Sequence, residues 1–402
     1  MTDPIVDSGE VREVAAALSE ARLFALDLEF LSENRYVPVL ALVQVAWGPP
    51  EEPHVALIDP LAADVEPVLE QVADPAVTTV LHAAQGDLSL LSDRFGLIAG
   101  GVVDSQIAAA FLGLGDQIGY TRLVEALLGL PLDKSHQFTD WLERPLSAEQ
   151  LHYAAADVRH LLPAWHLLEE RLTELGRMAW VEEESARLAR EAARRLPPEE
   201  VWAKVKGAER LSPVQLGRLR EVAAWRERTA LDTNTPPSWL IKDRPLLELA
   251  RTPPDTPGEL LRRRDVSERT VRRYGREILN ALARGGREPL AVPRPAPRLA
   301  ERYRTWVAVL QGLIQARCRE AELAPRLVAS RDDAETLVRW WIEGDRSAEP
   351  GLPLLSGWRR ELAGQAALDW LAGETAVAAD PRDDSGLRLV PLPGDEPPGE
   401  GE

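Results

Sequence analysis

Asp27 and Glu29 stand two residues apart in the run ARLFALDLEF, Asp87 follows LHAAQG, and Tyr153 and Asp157 stand four apart in LHYAAADVRHLLPAW. On a strand, side chains two apart share a face. On a helix, side chains four apart do. Each piece has an ordinary reading: a solvent-facing strand pair, an acid favoured by a helix N-terminus, a phenol-to-carboxylate contact on a helix surface. The strand face with two acids is not plain core, because burying both without a cation costs several kcal/mol. As a set, the four carboxylates offer the converging hard oxygens that two divalent ions about 4 Å apart require. Such a pair activates water and stabilises the leaving oxygen of a phosphodiester, and a nearby phenol could orient that water.

These groups need elements to position them. ARLFALDLEF, VLALVQVAWG and HVALIDP read as three strands with no helix between them, a β-meander. VEPVLEQVAD is helical, VTTVLHA a strand, GDLSLLSDRFG a helix closed by Gly96, GGVVDSQ a short strand and IAAAFLGLG a helix. TRLVEALLGL reads as a helix capped by Thr121. Helices and strands that alternate after a meander predict a mixed sheet with helices packed on it. Ser147 and Gln150 form a capping box, and the spacing predicts one helix from Ser147 to about residue 172. A second runs from about 180 to 195 and ends at LPPEE, so the front domain spans 1–197. A compact helical module follows at 205–288. GGREPLAVPRPAPR reads as an extended Pro-rich linker, helices fill 299–375, and the acidic, Pro/Gly-rich stretch 380–402 reads as disordered.

In order, LDLEF, LHAAQGDLSLL and YAAAD resemble the three exonuclease motifs of the DEDD superfamily, in its Tyr-type branch. The run LPLDKSHQFTDWLERPLSAEQLHYAAADVRHLLPAWHLL is similar to the ribonuclease D family, as are VVDSQIAAAFLG and ALVQVAW. The likeness covers residues 20–170 well. LREVAAWRERTALDTNTPPSWLIKD resembles an HRDC domain, and GLPLLSGWRRELAGQAALDWLAGE resembles, more loosely, the last helical domain of that family. The resemblance implies an α/β ribonuclease H-like mixed-sheet exonuclease domain followed by all-α HRDC and HRDC-like domains. It also implies a 3′–5′ exoribonuclease with two divalent ions, Mg²⁺ or Mn²⁺, releasing nucleoside 5′-monophosphates. Carried over, Asp27 bridges the ions, Glu29 and Asp157 hold the one that carries the attacking water, Asp87 holds the other, and Tyr153 orients the water. His152 has the five-residue spacing to Asp157 of the His-type branch. A helix turns about 100° per residue, so only one of His152 and Tyr153 faces the ions, and the flanking sequence favours Tyr153. His82 is a candidate contact to the terminal sugar or phosphate; His136 and His160 have no assigned role, and Gln44 and Gln106 read as structural.

The net charge is −18, an awkward value for a protein that meets a polyanion. Its distribution decides more. Residues 1–200 hold 14 Lys and Arg against 34 Asp and Glu, whereas residues 201–290 hold 19 against 12. Residues 262–287 alone carry nine arginines against three acids. Among them Arg264, Arg272 and Arg273 are taken as RNA contacts; the bland reading is a solvated helix face. Expected partners are RNA, as tRNA precursors or other structured RNA with a single-stranded 3′ end. One cysteine, Cys318, allows neither an intrachain disulfide nor a cysteine metal site. With no secretory signal and no apolar run near the ~18 residues of a membrane span, a cytoplasmic location is expected; the chain is taken as a monomer, although nothing in the sequence gives its oligomeric state. A DNA exonuclease has the same carboxylates, and a non-catalytic RNA-binding protein on a nuclease scaffold is the rival from another class.

Overall fold

The structure is a computed structural model and describes residues 3–132, 139–291, 299–344, 346, 348–382 and 386–392. Five strands, β1 (Leu23–Leu31), β2 (Val39–Trp47), β3 (His54–Ile58), β4 (Thr78–Leu81) and β5 (Val102–Asp104), form one sheet in the order β3-β2-β1-β4-β5. The first three are antiparallel neighbours, and β1, β4 and β5 run parallel. This is the expected mixed sheet, with β1 at its centre. Alternation sorts β1 between two cores. Phe24, Leu26 and Leu28 join Val11, Leu18 and Val68 on one face, and Ala25 joins Val80, Val158 and Trp165 on the other. Asp27 and Glu29 keep the phase of Ala25, so they face the second side.

Helices α1 (Ser8–Ala21), α2 (Glu66–Ala73), α3 (Gln85–Phe95), α4 (Ser105–Phe111), α5 (Tyr120–Leu128), α6 (Ala148–Arg159), α7 (Leu161–Glu174) and α8 (Met178–Ala192) cover the sheet. The capping box of Ser147 and Gln150 is present. Two expectations change. The single helix from Ser147 to about 172 is broken at His160 into α6 and α7. Pro163 has no N–H to give the Arg159 carbonyl and its ring crowds it, so the α-helical ladder cannot continue. The cap of α5 is Gly119, not Thr121.

The helical module consists of α9 (Pro213–Asp232), α10 (Pro237–Leu240), α11 (Asp243–Arg251), α12 (Pro257–Leu261) and α13 (Glu268–Arg287). It has its own core, including Leu219, Leu246, Ile278 and Leu282. Gly285 and Gly286, read as the start of a linker, belong to α13. A Cβ on Gly285 would meet the Gly217 carbonyl oxygen at 2.2 Å, so α9 and α13 touch backbone to backbone there. Linker residues 292–298 lie outside the described residues.

The last part contains α14 (Glu301–Glu320), α15 (Pro325–Val328), α16 (Arg331–Glu343) and a helix whose consecutive pieces are Gly357–Arg359, the π-helical Arg360–Gly364 and Gln365–Ala372. It ends in a hairpin, β6 (Thr375–Ala379) and β7 (Leu387–Pro391). The reading of 380–402 as disordered is therefore corrected at 387–391, where LRLVP finds TAVAA as a partner strand; residues 393–402 lie outside the described ones. This part shares a core with α4, α7 and α8. Trp358 meets Phe111 edge-on at 4.9 Å and stacks on Trp180 at 5.3 Å. Beneath them Glu184 accepts from Trp358 Nε1 at 3.0 Å, Arg187 Nη2 at 2.6 Å and both terminal nitrogens of Arg359.

Those donors pull the Glu184 carboxyl down to about 2, against its burial. Its contribution is thus present above the ordinary glutamate value and lost as pH falls through about 2. Glu184→Ala leaves the buried Arg359 charge short of its partner, at a cost of about 3–5 kcal/mol. Chemical denaturation should show that loss, and a change under 1 kcal/mol would mean that the aromatic contacts alone hold the two parts together.

Candidate active site

Asp27 and Glu29 come from the middle of β1. A β-bulge sets their approach: Glu29 pairs with Leu42 and Phe30 with Leu40, so Ala41 of β2 has no partner in the ladder. Bulges bend a strand and re-aim its side chains. The spare Ala41 carbonyl accepts from Arg144 Nη2 at 2.7 Å. Arg144 also grips Asp59 through Nε at 2.6 Å and Nη2 at 2.8 Å, and gives Nη1 to the carbonyls of Trp141 and Glu143. All five of its N–H donors are thereby used. The segment leading into α6 is pinned to β2 and to the end of β3, and α6 carries Tyr153 and Asp157 over β1.

Asp87 arrives by another route. It sits in the first turn of α3, buried. The turn before it holds Ala83 at φ 54°, a left-handed conformation that a Cβ disfavours. Asp104 stabilises that turn. Its Oδ1 accepts from the Ala83 N–H at 3.1 Å and the Gln106 N–H at 2.8 Å, and its Oδ2 from the Ala84 N–H at 2.9 Å. Tyr120, from α5, donates its hydroxyl to the Ala156 carbonyl at 3.0 Å, next to Asp157 and at the break between α6 and α7. Neither Asp104 nor Tyr120 was singled out from the sequence. Asp104 had a visible signal as the N-cap of DSQ; Tyr120 had none, because its partner lies 36 residues away.

The result is a like-charged cluster. Carboxylate oxygens of Asp27, Glu29 and Asp157 lie within 4.8 Å of one another. Asp87 stands outside that triplet yet close enough for its charge and that of Asp27 to repel. Burial first, then the neighbouring acids, pushes Glu29 up to about 9 and Asp157 up to about 8. Burial raises Asp27 to about 6 and holds Asp87 well above the usual range. The Tyr153 phenol lies against Asp157, and burial and that carboxylate push its own ionisation further up. Among the described residues no Lys or Arg acts on these four acids. Clustered hard oxygens lacking a protein cation are the donor set a divalent ion fits.

The other candidates fall elsewhere. His152 is exposed, and its charge acts on His160 rather than on the acids. His82 is turned into the protein, correcting its assignment as a substrate contact: Nδ1 lies 2.9 Å from Ser105 Oγ, Nε2 is buried, and the ring packs on Tyr120 at 5.6 Å. A histidine at the end of β4 faces the interface with α4 and α5. Gln44, paired with Asp27 across β1 and β2, is fully buried. Gln106 ties α4 to the Ile118 carbonyl at 2.9 Å. Arg264, Arg272 and Arg273 are exposed on the helical module, Arg272 paired with Glu268 at 2.5 Å. His136 lies outside the described residues.

A mixed sheet that gathers these acids at its centre fits the DEDD class of metal-dependent exonucleases, and residues 3–173 match the family model for a 3′–5′ exonuclease. Residues 215–282 match that of the HRDC domain. The chain is 38% identical over 388 residues to ribonuclease D of Granulibacter bethesdensis, covering 94% of each chain. It is 39% identical over 397 residues to that of Acidiphilium cryptum, covering 96% of this chain and 97% of that one. The crystal structure of Escherichia coli RNase D, described as an exoribonuclease involved in structured RNA processing, superposes with a TM-score of 0.80 at 30% identity, over 93% of this chain and 99% of that one. The chain belongs to the ribonuclease D family, and it is a 3′–5′ exoribonuclease.

The raised carboxyls set a pH dependence for the metal-free protein. At low pH they are protonated folded and unfolded. As pH rises the unfolded chain ionises first, so their contribution to stability is lost up to about 6 for Asp27, about 8 for Asp157 and about 9 for Glu29. In EDTA, Tm should therefore fall from mildly acid to alkaline pH, and Mn²⁺ should restore it most at the alkaline end. Glu29→Gln should raise the metal-free Tm near pH 8 by about 4 °C. A lowered Tm in that variant would show that the ionised cluster is not under repulsion.

Proposed function

We propose that this exoribonuclease trims structured RNA bearing a single-stranded 3′ end, tRNA precursors among them, as a cytoplasmic monomer, releasing nucleoside 5′-monophosphates with two divalent ions, Mg²⁺ or Mn²⁺. The observation that carries this reading is the meeting of Asp27, Glu29 and Asp157 within 4.8 Å, with Tyr153 against Asp157. Asp27, whose charge acts on each of the other three acids, would hold both ions, Glu29 and Asp157 one of them, and Asp87 the other. When bound, the ions supply positive charge that activates water and stabilises the leaving 3′ oxygen. Tyr153 keeps its proton at working pH and gives it to Asp157, so its hydroxyl oxygen would accept from the attacking water and orient it. The involvement of the E. coli relative in structured RNA processing supports the substrate class.

Affinity for RNA is assigned to the helical module. The front domain repels phosphate, whereas α13 and the turn before it expose Arg264, Arg272 and Arg273. No helix among the described residues is long and apolar enough to cross a membrane.

Two substitution sets test this. With 3′-end-labelled RNA and Mg²⁺, Tyr153→Phe should lower kcat by about 100-fold and His152→Ala should leave it unchanged; the reverse pattern would hand the water to His152. Truncating after residue 200 is no clean test of tethering, since Trp358 and Leu368 belong to the core of α7 and α8. The triple change Arg264→Ala, Arg272→Ala, Arg273→Ala should instead raise KM, leave kcat alone and flatten the salt dependence by about 0.7 log unit per lost phosphate contact. An unchanged KM would remove these arginines from the RNA path.

A further inference from the structure

We propose that Trp239 is a base-stacking platform that receives single-stranded RNA between the arginines of α13 and the nuclease domain; the inference rests on the RNA reading above. Trp239 is 60% exposed, the largest exposure among the big apolar side chains of the described residues, and the only aromatic one. An indole left in water forgoes one of the largest burial gains of any side chain. Its exposure does not come from a loose loop. Pro236 and Pro237 fix the backbone on either side of their bond, and the Trp239 N–H donates to the Pro236 carbonyl at 2.9 Å. The next residue is anchored too, since the Leu240 carbonyl accepts from Thr270 Oγ1 at 3.2 Å.

That anchor holds the backbone just after Trp239 against the first turn of α13. Arg269, Arg272 and Arg273 line a shallow groove there with Glu268, and Lys242, three residues after Trp239, is exposed. Five residues earlier, Asn234 holds the nuclease. Its Oδ1 accepts from the N–H groups of Tyr36 and Val37 at 3.0 and 2.9 Å, in the connection between β1 and β2. The Tyr36 hydroxyl donates to Glu227, and the Arg195 guanidinium covers the Tyr36 ring at 5.1 Å. Chain length alone keeps Trp239 within about 18 Å of Asn234. An exposed indole on an anchored backbone, close in the chain both to the arginine-bearing end of α13 and to the contact with the β1–β2 connection, fits a strand whose phosphates run along the arginines while a base lies on the ring. Single-strand binders combine these two features. The surrounding positive charge argues for a nucleic acid strand over a protein or lipid partner.

The test uses the full chain. Binding of a long single-stranded RNA, labelled at its 5′ end, is measured in EDTA by anisotropy, and its shortening is measured separately in Mn²⁺. Trp239→Ala should weaken binding by about 5- to 100-fold, with the salt slope unchanged and the cleavage rate of a trinucleotide unchanged. Trp239→Phe should recover most of the affinity. Equal affinity of Trp239→Ala and wild type, an equal loss on the trinucleotide, or a change of oligomeric state instead of RNA affinity would overturn the proposal. If the wild type binds RNA but does not shorten it, the catalytic reading fails while the stacking result still stands on the binding data.

Discussion

Four carboxylates of like charge must be held together in a half-buried site, and much of the nuclease domain can be understood as the frame that does so. Left to themselves, Asp27, Glu29, Asp87 and Asp157 would separate into water. Burial first, and for Glu29, Asp87 and Asp157 the neighbouring acids as well, raises their hold on protons, so ionising them here is opposed. Each is therefore braced by groups that never enter the cluster. Arg144 fastens the approach to α6 onto the bulge in β2 and onto Asp59. Asp104 holds the strained turn ahead of Asp87. Tyr120 ties the end of α6 to α5. Metal affinity and scaffold strain are then two sides of one arrangement, because a divalent cation removes the repulsion that the braces resist.

The same logic separates charge along the chain. A site that concentrates negative charge cannot also attract phosphate at long range, so cations are placed on a module with its own core. The C-terminal helices serve a different end. They extend the core of α4, α7 and α8, and Glu184 with Arg359 locks that junction through a buried pair. One appended part is thus fused to the nuclease, whereas the other meets it through a few polar contacts at Tyr36, Asn234 and Glu227.

Legibility in the sequence followed the range of the interaction. Period-two spacing in LDLEF and the Ser147 capping box are local, and the structure has both. The meander was legible because three apolar runs follow one another with no helical spacing between them, and the mixed sheet because helices and strands alternate after it. The break at His160 was also local, since Pro163 stands in plain view, but the continuous apolar spacing around it spoke for one helix. The hairpin at 387–391 was hidden because LRLVP is short and set in an acidic, Pro-rich context; its stability comes from pairing with β6. The roles of Arg144 and Tyr120 depend on contacts 85 and 36 residues apart, for which a single sequence holds no signal.

The rivalry between His152 and Tyr153 shows where spacing ends and geometry begins. Both lie at a distance from Asp157 that a motif accepts, so counting residues cannot separate them. What separates them is the phase of α6 against the sheet. Leu151, Ala154 and Val158 are buried, and this packing fixes the rotation of the helix. With that rotation set, position 153 faces Asp157 and the end of β1, and position 152 faces solvent and His160. The small Ala154 lets the helix sit close to the strands. The orientation of one phenol toward the acids is thereby decided by apolar side chains that do no chemistry themselves.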